Sequence, residues 1–299
     1  MLIRSLLITL TLLFILSVPG FSAVKLSHVV SVYLDALQKG LVQPEGVACG
    51  KDSHFVVADT GNGRLVSYTF QNGSLLPGLN MKVAQLTYPV RVQIDPLGNI
   101  LALDEKQRRI VRLSAKGEFQ GYVDATGLPS NLTIIPRSFK IGENGNIYIL
   151  DIHSADVVML DAEGKFLDII PFPEQFGFIS DLAVDFKGTV LLTDSLKSVI
   201  YAAPANAKTF TPLTQSMKEN VLFPTSITTD KRGLIYLVDQ NGGNIIVVGQ
   251  DGSFEGRLLA MGWKDGLLRY PSQCCINADG NFFVADRNNN RIQIFNIVD

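Results

Sequence analysis

Three histidines and three cysteines are the only imidazole and thiol metal ligands of this 299-residue chain, so they bound the zinc chemistry it could support. A catalytic zinc ion takes three protein ligands and keeps a fourth position open for water. His28, His54 and His153 fall in three separate stretches, assigned below to an edge strand, a hairpin turn and a loop. They are not expected to converge, and no metal site is predicted. Cys49, Cys274 and Cys275 are too few for a disulfide framework, and their odd number leaves at least one unpaired. No serine, threonine or cysteine sits in a nucleophile motif and no glycine-rich phosphate loop appears, so no catalytic residue and no cofactor is expected.

What the sequence does contain is a repeat, and a missed repeat misreads the whole fold. An aspartate closes an apolar, β-rich run six times, in VVAD, LALD, YILD, LLTD, YLVD and FVAD, at Asp59, Asp104, Asp151, Asp194, Asp239 and Asp286. Fifteen residues before each stands Pro44, Pro89, Pro136, Pro224 or Pro271, with Ile179 in the fourth unit. Six residues before the aspartate is a glycine in five units, beside Asp or Asn residues that favour a tight turn, and Ser53 in the first. Alternating apolar positions between proline and glycine read as one strand, glycine to aspartate as a second, and runs such as IVRLS and IIVVG as a third. Turn signals QNG, AKG, AEG and QDG introduce a fourth.

Each unit is therefore a four-stranded antiparallel meander. One such sheet cannot cover both of its apolar faces, so the units must stack, and radial stacking gives a propeller. The expectation is an all-β, six-bladed β-propeller with blades at about 41–80, 86–126, 133–172, 177–214, 221–260 and 268–299. The last unit has three strands only, and residues 25–34 (KLSHVVSVYL) precede the first blade without a place. This N-terminal strand should complete blade six, close the ring and cover an open edge.

The pattern of proline, apolar strand, glycine, apolar strand with terminal aspartate and a Gly-Asn-x-Arg-like turn resembles the NHL-repeat family, of an exported bacterial type. The nearest copies are DTGNGR (59–64) and DRNNNR (286–291); DEKQRR is looser, and units three to five lack the arginine. Asp59, Asp104, Asp151, Asp194, Asp239 and Asp286 should accept backbone N–H groups of the following turn, with Arg64, Arg109 and Arg291 pairing across the hairpin. These are structural residues of the blades. The resemblance specifies a fold and leaves function open, because propellers host enzymes, receptors and scaffolds. Zinc lyases and lactonase-like enzymes of similar architecture place their metal at the channel.

Here the residues after each proline slot begin the innermost strands and should ring one mouth of that channel: Glu45, Arg91, Arg137, Ser180, Asp181, Thr225, Ser226, Ser272 and Gln273. Two arginines among two carboxylates disfavour a cation. Arg91 and Arg137 either clamp a carboxylate, phosphate or acidic side chain, or pair with Glu45 and Asp181 and hold the blades together. Cys49 and Cys275 are either an inter-blade disulfide of neighbouring blades one and six, with Cys274 as the other candidate, or small buried hydrophobes. The loop from Ala260 to Arg269 carries Trp263, the one tryptophan, which with Met261 and Arg269 either makes a partner contact or packs on the rim.

A positive Arg4 followed by an apolar run to Val18 and a Pro19-Gly20 break reads as a secretory signal over residues 1–22, cut after Ser22 or Ala23 or retained. The formal charge of −2, which becomes −3 without Arg4, gives no electrostatic case for nucleic acid. The function expected is that of an exported, monomeric binding or scaffolding propeller, periplasmic or extracellular, whose partner is another envelope or extracellular protein. The alternatives are a lactonase- or lyase-like enzyme and a sensor of a small anionic ligand or peptide.

Overall fold

A computed structural model of the protein describes residues 24–130 and 132–298, and the expected signal segment lies outside them. Among the described residues, six four-stranded antiparallel sheets follow one another around an axis. The innermost strands are Gly46–Cys49, Pro89–Ile94, Pro136–Ile141, Ile179–Val184, Pro224–Thr229 and Cys274–Ile276. Each touches the next and the last returns to the first, so the blades close into a ring around a central channel.

The ring closes where the sequence places the closure. Lys25–Val32 pairs antiparallel with Arg291–Val298, from Lys25 opposite Val298 to Val32 opposite Ile292, and becomes the outermost strand of blade six. The sheet of the last blade thus contains both ends of the described chain, and its open edge is covered.

The alternating pattern within strands is explained by where the core lies. Six apolar clusters form, one between each pair of successive blades, rather than one central core. Phe55, Phe283 and Tyr68 lock blade one to blade six; Tyr148 and Leu192 lock three to four; Tyr236 and Phe282 lock five to six. The inner strands of each blade are covered by the neighbouring blades while the outermost ones stay largely exposed, which is why units that could not fold alone are stable in sequence. Fully burying one such side chain contributes about 1.5–3 kcal/mol.

The turns between first and second strands follow from local chemistry. In Asp95-Pro-Leu-Gly98, the Asp95 carboxylate accepts the Leu97 and Asn99 N–H groups, and Gly98 takes φ +85°, a conformation that L side chains rarely adopt. The opposite end of each blade carries the repeated aspartate. The register sets Pro89 against Asp104, Pro136 against Asp151, Ile179 against Asp194 and Pro224 against Asp239. The turn after each aspartate and the loop entering the blade therefore share one face of the ring, the face on which the innermost strands begin.

Candidate functional site

The repeated aspartates come first, because they build the face around the channel mouth. All six are fully buried. Each carboxylate accepts N–H groups from the loop that enters its own blade: Val42 to Asp59, Thr87 and Tyr88 to Asp104, Ile135 to Asp151, Gly177 and Phe178 to Asp194, Leu222 and Phe223 to Asp239, Arg269 to Asp286. All six also accept from the turn that follows, four from backbone N–H groups at Gln107, Ser154, Leu196 and Gly242, and Asp59 and Asp286 from the side-chain amides of Asn62 and Asn289. The aspartate is a knot between two loops 16 or 17 residues apart, a role that the sequence pattern alone understated. At Asp104 burial would raise the carboxyl pKa, but hydrogen bonds from Gln107, Tyr88 and Thr87 prevail and hold it below the ordinary 3.8.

The arginines of the repeat divide. Arg64 Nε donates to Asp59 at 2.7 Å and Nη1 to Asp35 at 2.5 Å; Arg291 Nε donates to Asp286 at 2.7 Å and Nη1 to Tyr33 and Asp265 at 2.8 Å each. Arg109 departs from expectation: it reaches Asp124 at 2.8 Å on an exposed surface and stacks on Tyr122, not beside Asp104. Asp104 is satisfied instead by the backbone N–H groups of Thr87, Tyr88 and Gln107 and by the Thr87 hydroxyl.

At the mouth, most of the predicted residues serve as ties between blades. Ser180 donates to the Pro224 carbonyl, Thr225 to that of Ser272 and Ser272 to that of Glu45. Gln273 Oε1 accepts Val47 N–H, while Asp181 accepts Ser138 Oγ–H at 2.5 Å and Ile227 N–H at 3.1 Å. Ser226 is buried deeper, beside the Cys274 thiol, which burial pushes up to about 12. On the innermost strand of blade three, burial holds Lys140 below the usual lysine range, with Asp181 of blade four and Cys274 of blade six opposing.

The expected pairing of the two mouth arginines with Glu45 and Asp181 does not form. Glu45 pairs with Arg287 at 3.1 Å, and burial raises its carboxyl above the ordinary range against the pull of Arg287 and Arg91. Arg91 crosses the channel instead: Nη1 donates to the Val90 carbonyl at 3.1 Å and Nη2 to that of Thr225, on blade five, at 3.3 Å. Arg137 stacks its guanidinium 4.2 Å above the Phe178 ring and makes no hydrogen bond or ion pair among the described residues. Phe178 in turn leans on Phe223, 6.2 Å away. Arg287, Phe178, Phe223 and Lys140 were missed in the sequence, although the residue before the proline slot is aromatic in four of the six units (Tyr88, Phe178, Phe223, Tyr270).

Around the mouth, on the same face, large apolar side chains stand in water: Ile152, Phe176, Leu196 and Leu222 are 43%, 40%, 57% and 65% exposed. Trp263 is 75% exposed, on a loop fixed by Gly262 N–H to the Leu268 carbonyl and by Asn289 to the Gly262 carbonyl. Arg269 beside it keeps its side chain exposed while its N–H binds Asp286. Cys49 and Cys275 form a disulfide between blades one and six, and Cys274 is free and buried. His28, His54 and His153 lie on the closing strand, at the start of a blade-one strand and in a blade-three turn. Among the described residues, no three His, Cys, Asp or Glu side chains are grouped to hold a metal ion.

The NHL repeat family pattern matches residues 268–295. No curated protein sequence matches the chain. Among solved structures, a streptogramin B lyase covers 92% of this chain and 98% of its own with 16% identity and a TM-score of 0.62. A gluconolactonase from Xanthomonas campestris covers 93% and 96% with 12% identity and a TM-score of 0.68. A structure of a nidogen/laminin complex covers 79% and 92% with 16% identity and a TM-score of 0.59. At these identities the likeness shows the fold alone, and the neighbours include both enzymes and a binding pair.

Proposed function

Starting from a chain that is an NHL-repeat six-bladed β-propeller, we propose that it is an exported binding protein that docks another protein on the face around its channel mouth. The observation that carries this reading is the cluster of exposed apolar side chains there, with Leu196 and Leu222 more than half exposed on neighbouring blades four and five. Contiguous exposed apolar surface rimmed by polar groups marks an interaction surface. The loops that present it are held from beneath by buried aspartates, so the surface is pre-organised and loses little entropy on binding. Export is consistent with the apolar N-terminal segment and with the Cys49–Cys275 bridge, since disulfides persist in oxidising compartments.

A photo-cross-linking amino acid placed at Leu196 or Leu222, and in parallel at Leu97 or Phe186 in first-to-second-strand turns of the other face, tests the reading in the native cells. One recurrent partner captured from the first pair and not from the second is the expected result. No partner, or equal capture from both faces, contradicts it.

A further inference from the structure

The chemistry of the mouth indicates what such a partner presents to it. Arg137 leaves the innermost strand of blade three and lies flat on Phe178. Stacking uses the face of a guanidinium and leaves the N–H groups at its edges free, and those edges are what a planar oxyanion takes bidentately. Here they find nothing: Arg137 has no acceptor among the described residues, and its Nε is buried without a partner. A half-buried cation left in this state costs stability that a purely architectural residue would recover by pairing. Arg91 shows the same signature, with two nitrogens spent on carbonyls and its Nε buried and unpartnered.

The surrounding charges sharpen the picture. Arg137 is held below its ordinary value by burial, with Glu105 raising it and the neighbouring Arg91 lowering it. Two like charges thus crowd the mouth, and Glu105 makes no ion pair with either. Glu45 is taken by Arg287. Arg91, Arg137 and Arg287 outnumber Glu45 and Glu105, and with Arg287 held by Glu45 the guanidinium left without an acceptor is that of Arg137, room for one planar oxyanion. Around that charge the surface is apolar, with Phe178 and Phe223 inside and Leu196 and Leu222 at the rim.

We infer that the channel mouth is a binding site for a single carboxylate carried by a partner polypeptide between apolar residues, with the carboxylate on the free edge of Arg137 beside Arg91 and its apolar neighbours on Phe223, Leu196 and Leu222. The inference rests on the docking face proposed above and names the group that anchors it. A side-chain carboxylate and a chain-terminal carboxylate present the same chemistry, and the probes below separate them.

The test is a titration of the full ¹⁵N-labelled protein, followed at the arginine Nε–H resonances. The probes are acetyl-Leu-Asp-Leu-amide, acetyl-Leu-Leu with a free terminal carboxylate, acetyl-Leu-Asn-Leu-amide, sodium acetate and sodium chloride. A saturable shift of the Arg137 resonance is expected with at least one of the two carboxylate peptides and none with the Asn peptide or chloride; which carboxylate peptide binds more tightly assigns the source. Arg137→Gln should weaken that peptide about tenfold or more while leaving the thermal midpoint unchanged. Leu196→Ser with Leu222→Ser should weaken the peptide but not acetate. A shift that survives the two leucine changes undiminished keeps the carboxylate site and counts against the apolar docking face. No Arg137 response to any carboxylate, or an equal response to chloride, overturns the inference, whereas the cross-linking result for the face stands or falls separately.

Discussion

The seam of the ring, where blades six and one meet, and the mouth face of blades three to five use the same repeated aspartate in opposite ways. At the seam the turns keep their arginines. Arg64 and Arg291 are nearly fully buried, each bridges its aspartate to a second carboxylate, and together they tie in Asp35, Tyr33 and the loop around Asp265. The closing strand and the Cys49–Cys275 bridge join the same two blades. In blades three to five the arginine is gone, Asp151, Asp194 and Asp239 are satisfied mainly by backbone N–H groups, and the turns present Ile152 and Leu196 to water, with Leu222 on the loop entering blade five. The difference teaches that the aspartate alone suffices to hold two loops together. The arginine is added where the ring must be locked, and omitted where a turn is left to display side chains.

That contrast can be broken from its strongest side first. Asp286→Ala removes the acceptor for Arg291, Gln293, Asn289 and the Arg269 N–H and leaves a buried guanidinium half-paired. It should cost about 3–5 kcal/mol in urea unfolding. Asp194→Ala strands only neutral N–H groups and should cost less, about 1–3 kcal/mol. A larger loss at Asp194 would reverse the ranking of the two regions. Replacing Cys49 and Cys275 together by alanine opens a covalent loop of 226 positions and should lower stability by about 2–4 kcal/mol without changing the fold. The seam retains its closing strand, so circular dichroism should remain that of an all-β protein.

A smaller effect concerns acid. Asp104 has a folded-state pKa below its ordinary 3.8, so its stabilisation is present above that value and is lost as pH falls through the depressed one. Asp104→Asn should therefore flatten the loss of stability below about pH 4 in a series of urea titrations. An unchanged slope would remove Asp104 from the acid-sensitive groups. Smallest of all, Leu196→Ser and Leu222→Ser should change unfolding free energy by about 0.5 kcal/mol or less each, because their side chains are mostly solvated. A larger loss would move that face from display to architecture.

The fold was legible because its determinants are periodic. A proline slot, an aspartate fifteen residues later and alternating apolar strands recur six times, and the homeless N-terminal strand pointed to the closure. The site was legible only in position. The rule that residues after the proline slot line the mouth placed Arg91, Arg137, Asp181 and Gln273 near the axis, but not their partners. Those partners come from other blades: Thr225 for Arg91, Phe178 for Arg137, Ser138 and Ile227 for Asp181, Val47 for Gln273. A spacing within one repeat carries no information on the rotation that sets blade two opposite blade five. Arg109 failed for a local reason, since three of the four ties to Asp104 are backbone N–H groups that no pattern of side-chain types records.

The comparison turns on two arginines with similar apparent claims, one at the seam and one at the mouth. Urea unfolding of Arg291→Gln and Arg137→Gln, measured side by side, tests it most directly. Arg291→Gln should lose several kcal/mol, about 3–5, because five hydrogen bonds and the buried carboxylate of Asp286 depend on it. Arg137→Gln should unfold near the wild-type midpoint, since the change removes a cation that has no hydrogen-bond acceptor among the described residues and loses only its stack on Phe178. If Arg137→Gln is as destabilising as Arg291→Gln, then Arg137 is part of the scaffold and the mouth is not kept open for a ligand.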